Sequence, residues 1–188
     1  MATNKIIGIA LFVMFLFAPS YLDAHGYKRE ISVSYGLMPA SNIYISRIND
    51  FRNNPDYESV LHFGPLSAEY YVRESSFWSM GCIGILAGSK CRVAPLVGYG
   101  KRLSTQLTFM AAGKRHWIDN GGFGFYSKAA IGLSMNAVCH LKAPIIMPNF
   151  QISPVGLDFR FTPSFSSFLE IGAGEQGVIH AGLSFKIL

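Results

Sequence analysis

Apolar and polar residues alternate along most of this chain, the period of a strand with one apolar face. The final stretch is the clearest, with Ile179, Ala181, Leu183, Phe185 and Ile187 alternating with His180, Gly182, Ser184 and Lys186. Leu103, Thr105, Leu107, Phe109 and Ala111 alternate with Ser104, Gln106 and Thr108. Leu66, Ala68, Tyr70 and Val72 alternate with Ser67, Glu69, Tyr71 and Arg73, and Ile31, Val33, Tyr35 and Leu37 with Ser32, Ser34 and Gly36. Three stretches keep the pattern less strictly. Gly122 to Met135 sets Phe123, Phe125, Ala129, Ile131 and Leu133 on one face, with Tyr126 and Lys128 on the other. Met147 to Arg160 changes phase near Ser153-Pro154, where a bulge would re-aim the strand. Phe168 to Gly174 places Leu169, Ile171 and Ala173 opposite Glu170, while Phe77 to Gly88 is apolar on both faces. Together these predict eight strands and an all-β chain.

Strands of about 9–11 residues, the length that spans a bilayer at a tilt, leave room for connections that are long and short in turn. Long ones are expected at Met38–His62, Ser89–Gly100 and Asn136–Ile145, and short ones at Arg73–Ser76 and Thr162-Pro163-Ser164. Gly113–Asn120 reads as a longer turn and Glu175-Gln176 as a tight one on the opposite end. This rhythm predicts an eight-stranded antiparallel up-and-down transmembrane β-barrel, with long loops outside and short turns and both termini in the periplasm. In the first long loop, Ser41 could cap a short helix with Tyr44, Ile48 and Phe51 on one face.

Alternation alone does not say which face is wet; composition does. Only 14% of the 188 residues are charged, half are hydrophobic and 14% are aromatic, against about a quarter charged in an average soluble domain. A soluble barrel would carry Lys and Glu outside, and this chain has too few. Disorder is excluded by the same numbers. No apolar run approaches the roughly 18–20 residues of a spanning helix, which excludes a helical bundle. The charged strand residues Glu69, Arg73, Lys128, Asp158, Arg160, Glu170 and Lys186 oppose the apolar faces, as does His180. They are expected to form a polar network inside a lumen only wide enough for side chains. Aromatics recur near the expected strand ends (Tyr35, Phe63, Tyr70, Trp78, Phe109, Trp117, Phe123, Phe159, Phe165 and Phe185), where interfacial girdles form.

The N-terminus carries an address. Lys5 precedes an uncharged apolar run from Ile6 to Ala18, followed by small residues, the anatomy of a cleaved secretory signal. Cleavage is expected after Ala24, with Ser20 the alternative, giving a signal peptide over 1–24 and a barrel domain over 25–188. Export makes disulfides permissible, but Cys82, Cys91 and Cys139 are odd and sparse. Cys91 and Cys139 could bridge; free or buried thiols are the preferred reading. No zinc-type spacing occurs, and no metal or cofactor is expected.

Phe150-Gln151-Ile152-Ser153-Pro154-Val155-Gly156-Leu157, Glu170-Ile171-Gly172-Ala173-Gly174-Glu175-Gln176-Gly177 and Ala181-Gly182-Leu183-Ser184-Phe185-Lys186 resemble the small outer-membrane β-barrel proteins of the OmpX and OmpA barrel group. The likeness runs from about Arg29 to the end. It implies a bacterial outer-membrane location and folding by the barrel-assembly machinery, and it says nothing about activity. Family members often end on an aromatic, a place that Ile187 takes here.

Candidate chemistry is sparse. Gly172-Ala173-Gly174-Glu175-Gln176-Gly177 matches a dinucleotide fingerprint as a pattern, but a strand rather than a helix follows, so the glycines make a hairpin turn. A Ser–His–carboxylate set would suit acyl chemistry. Of the histidines, His180 sits on a strand beside Glu170, but Ser184 is ~13 Å away along the same face at about 3.3 Å per residue. His180–Glu170 therefore reads as a lumenal polar pair, and His62, His116 and His140 as solvated. Between Glu74 and Asp119 lie Lys90, Arg92, Lys101, Arg102, Lys114 and Arg115 with no acid. The first four flank one outer loop and could meet lipopolysaccharide phosphates or simply be solvated.

The expected role is structural or surface-interactive, with a closed lumen, no large pore and no enzymatic activity. Outer-membrane lipid and lipopolysaccharide are the expected partners, nucleic acid is not, and the oligomeric state stays open. The alternatives are an outer-membrane lipid-modifying enzyme and a secreted soluble barrel holding an apolar ligand.

Overall fold

The computed structural model describes residues 29–39, 57–93, 100–137 and 144–187. Eight strands run in chain order: β1 Arg29–Leu37, β2 Tyr57–Arg73, β3 Trp78–Val93, β4 Gly100–Asn120, β5 Phe123–Ala137, β6 Ile145–Thr162, β7 Phe165–Gly174 and β8 Ile179–Ile187. Each pairs antiparallel with its sequence neighbour, and β8 pairs with β1, so the sheet closes into a barrel with no free edge. The pairing climbs as it goes round. Gly36 lies beside His180, His180 beside Glu170, Glu170 beside Gly156, Gly156 beside Tyr126, and Tyr126 beside His116 near the far end of β4. That stagger is what strand tilt in a closed sheet requires.

The two faces separate as the alternation predicts. Ile31, Val33, Leu66, Tyr70, Phe109, Ile131, Leu133, Leu183 and Phe185 are exposed on the outer wall. Ser32, Ser34, Glu69, Gln106, Thr108, Lys128, Ser134, Gln151, Glu170 and Lys186 are buried inside. The phase change expected near Ser153-Pro154 appears as an irregularity between Ile152 and Val155 in the β6–β7 register. It lets Gln151 and Ser153 before the bulge, and Gly156 and Asp158 after it, all face inward.

Several boundaries differ from expectation. β2 to β6 run 15 to 21 residues, longer than a bilayer needs. β2 begins at Tyr57, within the expected Met38–His62 loop, and β3 and β4 pair up to Val93 and Gly100, inside Ser89–Gly100. β5 ends at Ala137 and β6 starts at Ile145, narrowing Asn136–Ile145 at both ends. Away from an apolar layer a strand has no reason to alternate, so these ends carry no period to read. Gly113–Asn120 is not a turn: β4 continues to Asn120, with one irregularity between His116 and Ile118, and the chain reverses at Gly121-Gly122. Phe109 accordingly sits within β4 rather than at its end. The signal segment over 1–24, the short helix placed at Ser41, Tyr44, Ile48 and Phe51, and Cys139 and His140 lie outside the described residues.

β3 pairs fully on both sides although its sequence does not alternate. Its inward Ile83 and Ile85 join Tyr71, Met110, Ala112 and Ala130 in a buried apolar cluster. The lumen thus holds an oily wall across β2 to β5, with polar groups such as Glu69 and Lys128 on the same strands at its border.

Candidate functional site

The polar network of the lumen is built from side chains that each strand delivers at every second position. At its centre Lys128 of β5 places Nζ 2.7 Å from Glu170 Oε2 and 3.1 and 3.3 Å from the two Glu69 oxygens. Glu170 also lies 2.8 Å from His180 Nε2, its direct partner across β7–β8, and accepts a 2.7 Å hydrogen bond from the Tyr126 hydroxyl. Lys128, Glu170 and His180 are 2%, 0% and 1% exposed. An ion buried that deeply costs several kcal/mol unless its neighbours restore what water supplied. Here one ammonium bridges two carboxylates, and each carboxylate has a further donor.

Towards the end of the barrel where β1 begins and β8 finishes, a second group forms. Lys114 donates to Glu30 at 2.8 Å and lies over the Tyr71 and Tyr126 rings at 4.3 and 4.7 Å. Lys186 pairs with Asp158, Arg160 with Asp158 and Asp119, and Arg73 with Asp119 at 2.6 Å. His116 Nε2 is 3.0 Å from Ser79 Oγ, with Ser79 wholly buried. At the other end, the β7–β8 turn folds into the mouth. Gln176 donates to Glu69 at 2.5 Å and Ser67 at 3.1 Å, while Gln106 donates to Glu175 at 2.8 Å. Glu175 and Gln176 are 1% and 0% exposed.

The structure therefore brings Glu69, Lys128, Glu170 and His180 into contact, and joins Arg73, Asp158, Arg160 and Lys186 through shared carboxylates nearer the rim. Two readings are corrected. His116 is buried, not solvated, because the extension of β4 turns it inward onto Ser79. Lys114 and Arg115 are likewise strand residues, 3% and 7% exposed, rather than solvated turn charges. Lys90, Arg92, Lys101 and Arg102 lie on paired backbone where β3 ends and β4 begins, with Arg92 opposite Lys101 and Cys91 opposite Arg102. Cys82 is an exposed free thiol on the outer wall.

From sequence, Glu30, Lys114, Tyr126, Gln151 and Gln176 are not placed in the lumenal network, although Tyr126 falls on the polar face of its strand. Glu30 extends the period of Ser32 and Ser34 by one step, and Lys114 and His116 extend that of Gln106 and Thr108, so counting on in twos finds them. The turn residues Glu175 and Gln176 carry no such signal.

Glu69, Glu170 and His180 offer ligand atoms within 4.8 Å of one another. Lys128 Nζ, however, stands within hydrogen-bond reach of all three, 3.4 Å from His180 Nε2. The cation these groups hold is the lysine ammonium. No protein-family model matches this chain, and no curated protein matches it in sequence. The geometry must speak alone. It describes a braced, tightly filled interior, in which His180 and Ser79 are both closed off by their neighbours.

Proposed function

We propose that this chain is an integral β-barrel of a bacterial outer membrane, akin to the small OmpX and OmpA barrel group. Its role is structural or surface-interactive rather than catalytic, and its lumen forms no large pore. The observation that carries this reading is the inversion of the two faces. Charges are paired and buried inside, while large apolar side chains such as Phe109 (64% exposed) and Ile131 (73%) cover the outside. Each such side chain forgoes about 1.5–3 kcal/mol if left in water, and a contiguous exposed apolar belt marks a surface made for another apolar phase. A soluble ligand-carrying barrel would need the reverse arrangement.

The connections support the same orientation. Those at 74–77, 121–122 and 163–164 are short, and lie at the end where β1 begins and β8 finishes. In an outer-membrane barrel that end is periplasmic, and the outer ends of β3 and β4, with Lys90, Arg92, Lys101 and Arg102, would face lipopolysaccharide or neighbouring surfaces. Assembly by the barrel-assembly machinery fits the outward Phe185 and Ile187 of β8.

Gel mobility of detergent-extracted protein, unboiled and boiled, tests the reading after separation of outer membrane from soluble fractions. A heat-dependent shift in the outer-membrane fraction is expected; soluble protein with no shift would overturn it. In planar bilayers the purified protein should show no large, stable conductance.

A further inference from the structure

The lumen holds a row of side chains whose partners the ion pairs do not supply. Arg160 lies beside Ser166 across β6–β7, and Ser166 beside Ser184 across β7–β8. Ser184 in turn lies beside Ser32 across β8–β1, and Ser32 beside Glu69 across β1–β2. The stagger of the strands carries this row inward from the short-turn rim, where Arg160 pairs with Asp119 and Asp158. It ends at the central cluster, where Glu69 pairs with Lys128. Ser166, Ser184 and Ser32 are 0%, 1% and 2% exposed, and among the described residues none of their hydroxyls has a hydrogen-bond partner.

Hydroxyls elsewhere in this barrel bond each other directly from the same register. Ser34 and Ser67, partners across β1–β2 one inward step from Ser32 and Glu69, place their Oγ atoms 2.7 Å apart. Thr108 and Ser134 do the same across β4–β5, at 2.5 Å. The three orphan hydroxyls share that register without that contact. Same-face partners on neighbouring strands hold their Cβ atoms about 5 Å apart, and one water with O–H···O bonds of about 2.8 Å spans a gap of that size. A buried hydroxyl left without a partner costs more than an ordinary hydrogen bond contributes, so three in a row call for a ligand that both donates and accepts. The charges at the two ends of the row are paired, so that ligand need carry none. Water is the class that fits.

Neighbouring side chains set its course. Along β8 the next inward position after Ser184 is Gly182, where a Cβ would stand 2.7 Å from the tip of the Phe168 ring and from Ser34 Cβ. That ring, 5% exposed and edge-on to His180 with centroids 6.5 Å apart, fills the straight line from Ser184 to His180. The polar course therefore runs sideways, through Ser32 to Glu69. There it stops, because Gln176 of the β7–β8 turn donates to both Glu69 and Ser67. We infer that Ser166, Ser184 and Ser32 hold a file of internal water that hydrates the Glu69–Lys128 pair from the short-turn end of the barrel. The file bridges hydroxyl to hydroxyl, from Arg160 at the rim to the Glu69 carboxylate at a blind inner end. It gives the central ions a route for proton exchange with solvent and gives a solute no passage. It belongs to the lumen and holds whatever surrounds the outer wall.

The test reads water contact by NMR, as magnetisation passed from selectively inverted water to the isotope-labelled full protein in detergent micelles. Transfer is expected at the β-protons of Ser32, Ser166 and Ser184, and not at Thr108, which is as buried but bonded to Ser134. Silence at the three serines, or equal transfer at Thr108, would overturn the file. Ser184→Val puts a methyl where the central water sits and should bring Ser32 and Ser166 down to the level of Thr108. Undiminished transfer there, in a variant that keeps its heat-dependent gel shift, would show that the serines share no file. Ser184→Ala decides independently, and also where the valine variant does not fold. A hydrated hydroxyl contributes a hydrogen bond, so its removal should lower the urea midpoint. An orphan hydroxyl is a cost, so a raised midpoint would overturn the proposal.

Discussion

Lys128 is the residue on which the lumen turns, since among the described residues it alone forms ion pairs with both Glu69 and Glu170. Lys128→Met keeps an unbranched side chain only one atom shorter and leaves two buried carboxylates without their shared ammonium. Removing one partner of a buried pair costs about 3–5 kcal/mol, so the urea midpoint of the micelle-held barrel should fall sharply. Adding Glu69→Gln and Glu170→Gln to Lys128→Met should restore much of the loss, because the cost lies in the stranded charges. Gly156 has a separate role. A Cβ there would come within 2.4 Å of the Tyr126 ring, and that ring is tethered by its hydroxyl to Glu170. Gly156→Ala is therefore overpacking and should cost about 1–3 kcal/mol, read as a lower temperature for the gel-mobility transition. In a Tyr126→Ala background the same substitution should be nearly silent.

Among the elements, the β7–β8 turn does the most with the fewest residues. Gly174 and Gly177 take φ of 141° and 99°, which drives Glu175 and Gln176 down into the mouth instead of out into solvent. A side chain at 177 would be strained and would also meet the Leu37 carbonyl oxygen at 2.2 Å. Gly177→Val should thus lose about 1–3 kcal/mol and loosen the contacts of Gln176 with Ser67 and Glu69, seen as faster amide exchange across β7–β8. The elements also show how far the sequence could be read. β1 and β8 are short, have one polar and one apolar face, and announce themselves by period two. β3 does not, because its inward Ile83 and Ile85 pack on an apolar wall that exists only once the barrel is closed. The lumenal charges were legible as a face, and so was the His180–Glu170 pair on neighbouring strands; the Lys128–Glu69 pair was not, since those two meet across the barrel from strands that share no ladder. Gly113 and the charges after it mimic a turn, which hid both Lys114 and Arg115.

For the whole molecule, closure and orientation make a joint prediction. An epitope inserted within 94–99 should be reached by antibody on intact cells. One inserted at Gly121-Gly122, a turn where a Cβ at either position would meet nothing within 4 Å, should be reached only after the outer membrane is permeabilised. Labelling of the second site on intact cells would reverse the orientation. The oily wall inside the lumen matters before the barrel exists. Until its neighbours close around it, β3 offers hydrocarbon from both faces of one extended segment, the composition that nucleates cross-strand aggregation. Cationic residues stand just beyond it: Lys90 and Arg92 on its own end, Lys101 and Arg102 on the start of the next strand. Charges so placed act as gatekeepers that discourage intermolecular pairing. For a chain that reaches an outer membrane as proposed, the hazard thus lies in transit through water, in a hairpin that becomes harmless only once the barrel has closed.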